Sequence, residues 1–507
     1  MINVYPVIKT KPTCFDYEVR INGAIVPTNT ARVSSVPFNR RWPGHQRDIS
    51  QTEAIQFVSL SLDEAVYFEI TPKMPFDETC VKIRPRSLGI IPKITDGKIC
   101  FTLEKPACFT VEAFGRNRAL HIFADAAVKY DAVLESEDVI YFGAGEHNVG
   151  HIELHSDQTL FIDEGAVVYA RISALDAENI KIIGHGILDN SKNKEEILFE
   201  SNVENNNEQV NNAVRRHTIQ LEYCKNILID GITIRDSLVY NIRPLACDNF
   251  TVKNVKIIGC WRYNSDGIDM HNCTNVHIDN CFIRTFDDSI CVKGFDCFYE
   301  GDVQKSVEAA MYRNGKSYDV FKNVLVENCV IWNDWGKCLE IGAETRAEEM
   351  CDILFRNCDI IHVTMSVLDC MNVDYADVHD VSYENISIEV DETIPTPTMQ
   401  RNDTEAYENS NPSHMPYLVN SHIVYHFEYS AGGNRRGRNR NFNFKNIKVY
   451  GDKTIKFRFS GFDDEHKVEN IRISDVYLND EKITKLNSEN IVLEKYTDNI
   501  YFENKKY

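Results

Sequence analysis

The sequence predicts an all-β protein, a right-handed parallel β-helix over residues 128–507 preceded by a small β-sandwich over residues 1–127. Three observations predict it. A short Asn-led phrase recurs along the C-terminal part of the chain. The residues around it alternate apolar and polar with period two. The N-terminal part has the alternation without the repeat.

The phrase is Asn or Asp followed by alternating apolar and variable positions: Asn179-Ile-Lys-Ile, Asn226-Ile-Leu-Ile, Asn249-Phe-Thr-Val, Asn275-Val-His-Ile, Asn323-Val-Leu-Val, Asp352-Ile-Leu-Phe and Asp380-Val-Ser-Tyr. Many copies run on into a second, such as Asn254-Val-Lys-Ile, Asn280-Cys-Phe-Ile and Asn328-Cys-Val-Ile. Uninterrupted copies are spaced roughly 23 to 29 residues apart, a solenoid period. A strand with one apolar face cannot stand alone; stacking coil on coil buries the inward Ile and Val positions and pairs each strand above and below. Asn suits the turns because it tolerates left-handed backbone and can stack on its counterpart in the next coil. A leucine-rich repeat would need a Leu-dominated consensus and a helical half-repeat, and neither is present.

Before residue 128 the strands Tyr17-Glu-Val-Arg-Ile, Ala65-Val-Tyr-Phe-Glu-Ile, Lys98-Ile-Cys-Phe-Thr-Leu and Phe109-Thr-Val-Glu-Ala are separated by turns, the pattern of an antiparallel sandwich. Its loop Asn39-Arg-Arg-Trp42-Pro-Gly-His45 concentrates an aromatic face, guanidinium donors and an imidazole, so Trp42 is a candidate sugar contact, with a packed surface turn as the alternative. Long insertions follow Asp189, Gly294 and Asp391; in a solenoid they emerge on one side and build a binding face.

Composition narrows the function. A net charge of −21, from 76 acidic and 55 basic residues in 507, disfavours nucleic acid and anionic membrane as partners. No window of about 20 residues lacks charge, and the N-terminus has no signal-peptide pattern, so the expected location is cytoplasmic. The 16 cysteines contain no zinc-type motif pair, and several follow the repeat Asn, as reduced core thiols would. No cofactor is expected, and the oligomeric state stays open, a homo-oligomer included.

The chemistry concentrates between Tyr240 and Gly294, in Asn264-Ser-Asp266-Gly-Ile-Asp269 and Phe286-Asp287-Asp288-Ser-Ile-Cys-Val-Lys293-Gly294. Two consecutive Asp inside an apolar strand would bury a charge, so the pair belongs at a strand end or bend. Asp266 precedes Asp287 by about one coil, which should stack Asp266, Asp287 and Asp288 on one surface. Clustered carboxylates repel and raise at least one pKa. One protonated acid beside ionised partners is the arrangement that glycosidic-bond hydrolysis uses. A calcium site and turn capping are the competing uses of such acids.

These motifs resemble the NTDGID and GDDCIAIKSG signatures of glycoside hydrolase family 28, the polygalacturonases and their relatives. Gly184-His-Gly-Ile-Leu-Asp189 and Tyr240-Asn-Ile-Arg-Pro-Leu extend the resemblance along the helix. It implies Asp287 as general acid, Asp266 and Asp288 as holders of the nucleophilic water, and inversion at the anomeric carbon. Inversion in turn implies acid and base about 6.5–9.5 Å apart. The chain departs from the family pattern at Gly336-Lys337-Cys-Leu-Glu340-Ile-Gly342, where Lys337 takes the place of a histidine and Glu340 that of a small residue. Where the family grips a galacturonate carboxylate with Arg-Ile-Lys, this chain has Ser366-Val-Leu-Asp369-Cys-Met-Asn372. Asp369 would repel a uronic acid, which points to a neutral sugar unless Lys293, Lys337 or Arg346 compensates. The two-part layout is similar to that of dextranases and isopullulanases. The expected function is an inverting, exo-acting hydrolase of short α-linked oligosaccharides, with Asn264, Lys293, Lys337, Glu340, Arg346, Asp369 and Trp42 as candidate substrate contacts. A polygalacturonase with a relocated cation, a β-helical polysaccharide lyase and a non-catalytic carbohydrate-binding protein are the alternatives.

Overall fold

The computed structural model describes the chain except residues 1, 40–47, 131–135, 194–216, 296–310, 391–393, 403, 427–428, 431–434, 452–455 and 488. Trp42 and most of the insertions after Asp189 and Gly294 lie outside the described residues.

The N-terminal strands form a six-stranded and a five-stranded sheet. Their pairings are antiparallel, except that Leu120–Ala126 runs parallel to Thr52–Leu62. Alternation directs Val58, Leu60, Phe68, Ile99, Phe109 and Ile122 into a shared core. Phe68 stacks on Phe101 at 5.2 Å between ring centres, and Phe109 meets both rings edge-on at 6.0 and 5.7 Å.

From Val139 onward all but three short strands join one 31-stranded sheet, almost wholly parallel, in which strands pair with their counterparts one coil away. This is the parallel β-helix that the repeat predicts. Ile180, Ile227, Phe250, Val276, Val324, Ile353, Val381 and Phe442 occupy equivalent inward positions and are buried in one continuous core. The repeat Asn and Asp residues take left-handed backbone, with φ between 50° and 60° at Asn179, Asn226, Asn249, Asn275, Asn323, Asp352 and Asp380. Their amides form ladders along the outside. Asn275 Nδ2 donates to Asp248 Oδ1 at 2.7 Å, and Asn323 Nδ2 donates to Asn275 Oδ1 at 2.9 Å. No helix among the described residues is long and apolar enough to cross a membrane.

The sandwich lies against the helix through a mixed apolar cluster, with Val33, Phe57 and Phe123 on one side and Ile258, Phe282 and Trp332 on the other. Buried ion pairs stitch the same interface. Asp334 binds Arg284 at 2.9 Å and Arg116 at 2.8 Å. Burial raises the pKa of Asp334, but the two guanidiniums outweigh it and hold the carboxyl at about 2. Lys256 pairs with Asp125, and Arg84 bridges Glu112 and Glu389. Removing one partner of such a pair leaves a buried charge, so these contacts fix the sandwich in one position on the helix.

The ladder makes a specific prediction. Asn275→Ala removes two side-chain hydrogen bonds and imposes a left-handed cost of about 1–2 kcal/mol; with the lost bonds the total reaches about 2–3 kcal/mol. Asn275→Gly keeps the backbone conformation and loses only the ladder contacts, about 1 kcal/mol. Denaturant midpoints should therefore rank wild type, Gly, Ala; equal losses would show that left-handed backbone is not what Asn275 supplies.

Candidate active site

The outward-facing residues of one strand column build the site. Ile268–His271 pairs with Ile290–Lys293, which pairs with Lys337–Ala343, then Ser366–Asn372, then Tyr417–Ile423. Ile268, Ile290, Leu339, Leu368 and Val419 are in register and point into the core. The next residue of each strand therefore faces out, which aligns Asp269, Cys291, Glu340, Asp369 and Asn420 in a row.

Asp266, Asp287 and Asp288 sit just upstream of this column, at bends rather than inside strands. The Asp266 carbonyl accepts hydrogen bonds from the Asn241 backbone N–H and side-chain amide, at 2.9 and 2.7 Å. The Asp287 carbonyl accepts from Thr285 Oγ1 and Asn333 Nδ2, at 2.7 and 2.8 Å. Asp288 Oδ1 accepts from the Lys337 backbone N–H at 2.9 Å. Two glycines permit this density. A Cβ at Gly267 would stand 2.2 Å from the Ser289 carbonyl oxygen, and one at Gly336, whose φ is +83°, 2.5 Å from Asp288 Oδ1.

One oxygen from each of the three carboxylates lies within 4.8 Å of the others. None enters the apolar core. Asp266 is 1% exposed with Oδ2 3.5 Å from Lys293 Nζ, while Asp287 and Asp288 reach the surface and are half-buried. The closest oxygens are nearer than the 6.5–9.5 Å expected of an inverting pair. Adjacent residues supply two of the acids, and the coil spacing of about 4.8 Å sets the third. Separation of the carboxyls therefore does not decide the stereochemistry. At this spacing one water can accept a place between Asp266 and Asp288 with ordinary hydrogen bonds of about 2.7–2.8 Å.

Lys293 organises the charges. Only 4% exposed, its Nζ lies 2.9 Å from Asp269, 3.5 Å from Asp266, 3.7 Å from Glu344 and 4.0 Å from Asp288. It supplies among the acids the positive charge that a hard cation would otherwise bring. Burial, then the neighbouring charge of Asp288, pushes the Asp287 carboxyl up to about 8. Asp288 is also raised by burial, but Lys337, Lys293 and its hydrogen bonds outweigh this and hold it below the ordinary carboxylate value. Asp266 and Asp269 are both raised, first by burial, Asp266 also by the charge of Asp269. At neutral pH the cluster thus presents a protonated Asp287 beside an ionised Asp288, a proton donor next to a proton acceptor.

Other sequence candidates fall in different places. Lys337 pairs with Glu340, whose carboxyl burial raises well above its usual value. Asp369 is buried and accepts from Asn420 Nδ2 at 2.8 Å. Arg346 is withdrawn from the surface, 1% exposed, bonded to the carbonyls of Phe295 and Tyr429 and 3.3 Å from Asp374. Asn264 is a half-buried turn residue with φ 56°. Sequence reasoning missed Asp269 and Glu344, and met Asn39 only as the first residue of the loop that carries Trp42. Asp269 was legible, since an Asp between the inward Ile268 and Met270 must face out and find a cation. For Asn39 the loop was legible as a candidate site element but the partner was not: its Nδ2 reaches Asp287 Oδ2 at 3.5 Å from 248 residues away in sequence.

Fold and site together point to one family of β-helical proteins. The family model for Glycosyl hydrolases family 28 matches residues 147–416, more than half of the chain, and the chain belongs to that family. A Vitis vinifera protein named "Probable polygalacturonase" is 34% identical over 84 residues, 16% of this chain and 17% of that protein. A polygalacturonase of Gossypium barbadense is 31% identical over 144 residues, 28% of this chain and 33% of the relative. The chain thus aligns with a third or less of the length of these curated relatives. Among solved structures, Dex49A from Penicillium minioluteum superposes with a TM-score of 0.63 at 13% identity, covering 99% of this chain and 100% of that one, a likeness of fold that includes the sandwich.

The division of charge predicts a pH profile. Asp287 must be protonated to act as acid, so kcat/KM should fall as pH rises past about 8. Asp288 must be ionised, so the acid limb should lie below the ordinary carboxylate value. Asp287→Asn should lower kcat by about 10²–10⁴-fold and abolish the alkaline limb. A variant that retains the limb would assign the titration to another group.

Proposed function

We propose that this chain is an inverting, exo-acting hydrolase of short α-linked oligosaccharides of neutral sugars, working in the cytoplasm. Asp287 protonates the leaving oxygen, while Asp266 and Asp288 hold the attacking water and Asp288 takes its proton. The observation that carries the reading is the convergence of the Asp266, Asp287 and Asp288 carboxylates within 4.8 Å of one another, with Asp287 pushed above and Asp288 held below the ordinary carboxylate value.

Charge matching supports the neutral sugar. Among the described residues near the trio, Lys293 is held by Asp269 and Lys337 by Glu340. Arg346 is held by Asp374, and Arg458, two coils beyond Asp369 in the same column, by Glu494 at 2.9 Å. A uronate would have to break one of these pairs or enter unpaired beside Asp369, and a desolvated unpaired carboxylate is costly. Exo action draws support from the wall beside Asp287. The sandwich strand Phe38–Asn39 pairs with Thr398–Met399 of the last long insertion, and Asn39 leans onto the acid. A site closed on one flank suits a chain end better than a chain interior.

The polygalacturonases among the relatives favour a second reading, a galacturonide hydrolase in which Lys337 leaves Glu340 to grip the substrate carboxylate. The two separate in kcat/KM on matched neutral and galacturonate oligomers, for wild type and Lys337→Met. The proposal expects a neutral-sugar preference and a loss in the variant that is similar for both substrates. A galacturonate preference that disappears in Lys337→Met would establish the second reading. NMR of the first-formed product should show the anomer opposite to that cleaved.

A further inference from the structure

A second cluster of chemically active side chains lies on other elements, where the strands Glu349–Arg356 and Asp377–Glu389 run side by side. Cys351 and His379 are in register on adjacent coils. Each is followed by a left-handed bend, at Asp352 (φ 55°) and Asp380 (φ 52°), after which Ile353 and Val381 enter the core. The residue before each bend is thus turned away from the core, and thiol and imidazole meet. Both are nearly buried, Cys351 at 4% exposure and His379 at 9%.

One oxygen of Glu349, the sulfur of Cys351 and a ring nitrogen of His379 lie within 4.8 Å of one another. His379 Nε2 is 2.9 Å from Glu349 Oε1, and its Nδ1 is 2.7 Å from Asp380 Oδ2. We propose that Glu349, Cys351 and His379 bind a zinc-class divalent cation. Sulfur, nitrogen and oxygen donors are the zinc set; bond lengths of 2.0–2.3 Å separate ligand atoms by roughly 3–4 Å, and the three donors here, all within 4.8 Å of one another, reach that spacing by a small inward shift. Asp380 makes the contact that a metal-bound imidazole makes through its far nitrogen, which fixes the ring and strengthens it as a donor. Three protein ligands leave the fourth tetrahedral position to water. Binding displaces the Cys351 thiol proton to solvent, leaving a thiolate on the metal.

The neighbouring charges are compatible. Arg440, one coil on in register with His379, is drawn aside by a two-pronged pair with Asp377 at 2.9 and 2.8 Å. Lys322, one coil back in register with Cys351, is exposed to solvent. The ion would clamp two successive coils outside the core, adding a cross-link to the backbone ladder and the Phe355–Tyr383 stack that already join these strands.

The test uses the reduced, chelator-treated full chain titrated with Co²⁺ and then Zn²⁺. One equivalent of Co²⁺ should produce a thiolate-to-cobalt charge-transfer band, which Zn²⁺ abolishes. Cys351→Ser should remove the band, and His379→Gln should weaken binding by about 10–100-fold, both with hydrolytic activity unchanged. His379→Gln keeps the thiol, so it tests the site even where Cys351→Ser folds poorly. The Asp266, Asp287 and Asp288 carboxylates cannot give such a band, and a Cys291-based site would keep it in Cys351→Ser. No band at Co²⁺ excess, or one that persists in Cys351→Ser, overturns the proposal and leaves His379 as a ring hydrogen-bonded between two carboxylates.

Discussion

In a parallel β-helix the register between coils decides which side chains meet, because every residue has a neighbour about 4.8 Å above and below it. Here that register stacks Asp266 one coil beneath Asp287 and Asp288, and lines Asp269, Glu340 and Asp369 along the next column. The backbone pairing on both sides prevents the acids from spreading apart. Their repulsion is relieved by Lys293, by Lys337 and by protons, and Lys293 alone approaches four carboxylates within 4.0 Å. Buried acids around one ammonium cannot all be ionised near neutral pH, and the fold thereby keeps some of them, Asp287 included, protonated.

The two acids that reach the surface differ because their surroundings differ. Asp288 receives the Lys337 backbone N–H and lies near both lysines, so its charge is stabilised. Asp287 has its neighbour's negative charge and less compensation, so it keeps its proton. One strand end thus carries an acid and a base side by side. The same matching leaves the nearby cations engaged with protein carboxylates, which is the physical basis for expecting an uncharged sugar.

Much of this was legible in the sequence, for a physical reason: a solenoid repeats its constraints. The Asn-led phrase marks left-handed corners, and each of Asn226, Asn249, Asn275 and Asn323 takes that conformation. Period-two alternation placed Ile268 and Ile290 inward and forced the Asp287–Asp288 pair to a bend. Pairings that cross between coils or between sandwich and helix were not legible. The preference of Lys337 for Glu340, the withdrawal of Arg346 behind backbone carbonyls, and the contact of Asn39 with Asp287 depend on packing that no local pattern encodes. The expected spacing of acid and base failed for a related reason. It was taken from enzymes whose carboxyls face each other across a cleft, whereas neighbouring coils hold these in a stack.

The central claim is that the stack divides its protons so that Asp287 is an acid while Asp288 is a base. Carbon-detected NMR of enzyme labelled at the aspartate carboxyls, titrated across the stable pH range, measures this directly. The account predicts one carboxyl titrating near pH 8 that is missing in Asp287→Asn, and a second, missing in Asp288→Asn, that stays ionised below the ordinary carboxylate range. An Asp287 signal already ionised at pH values where ordinary carboxylates titrate would contradict it.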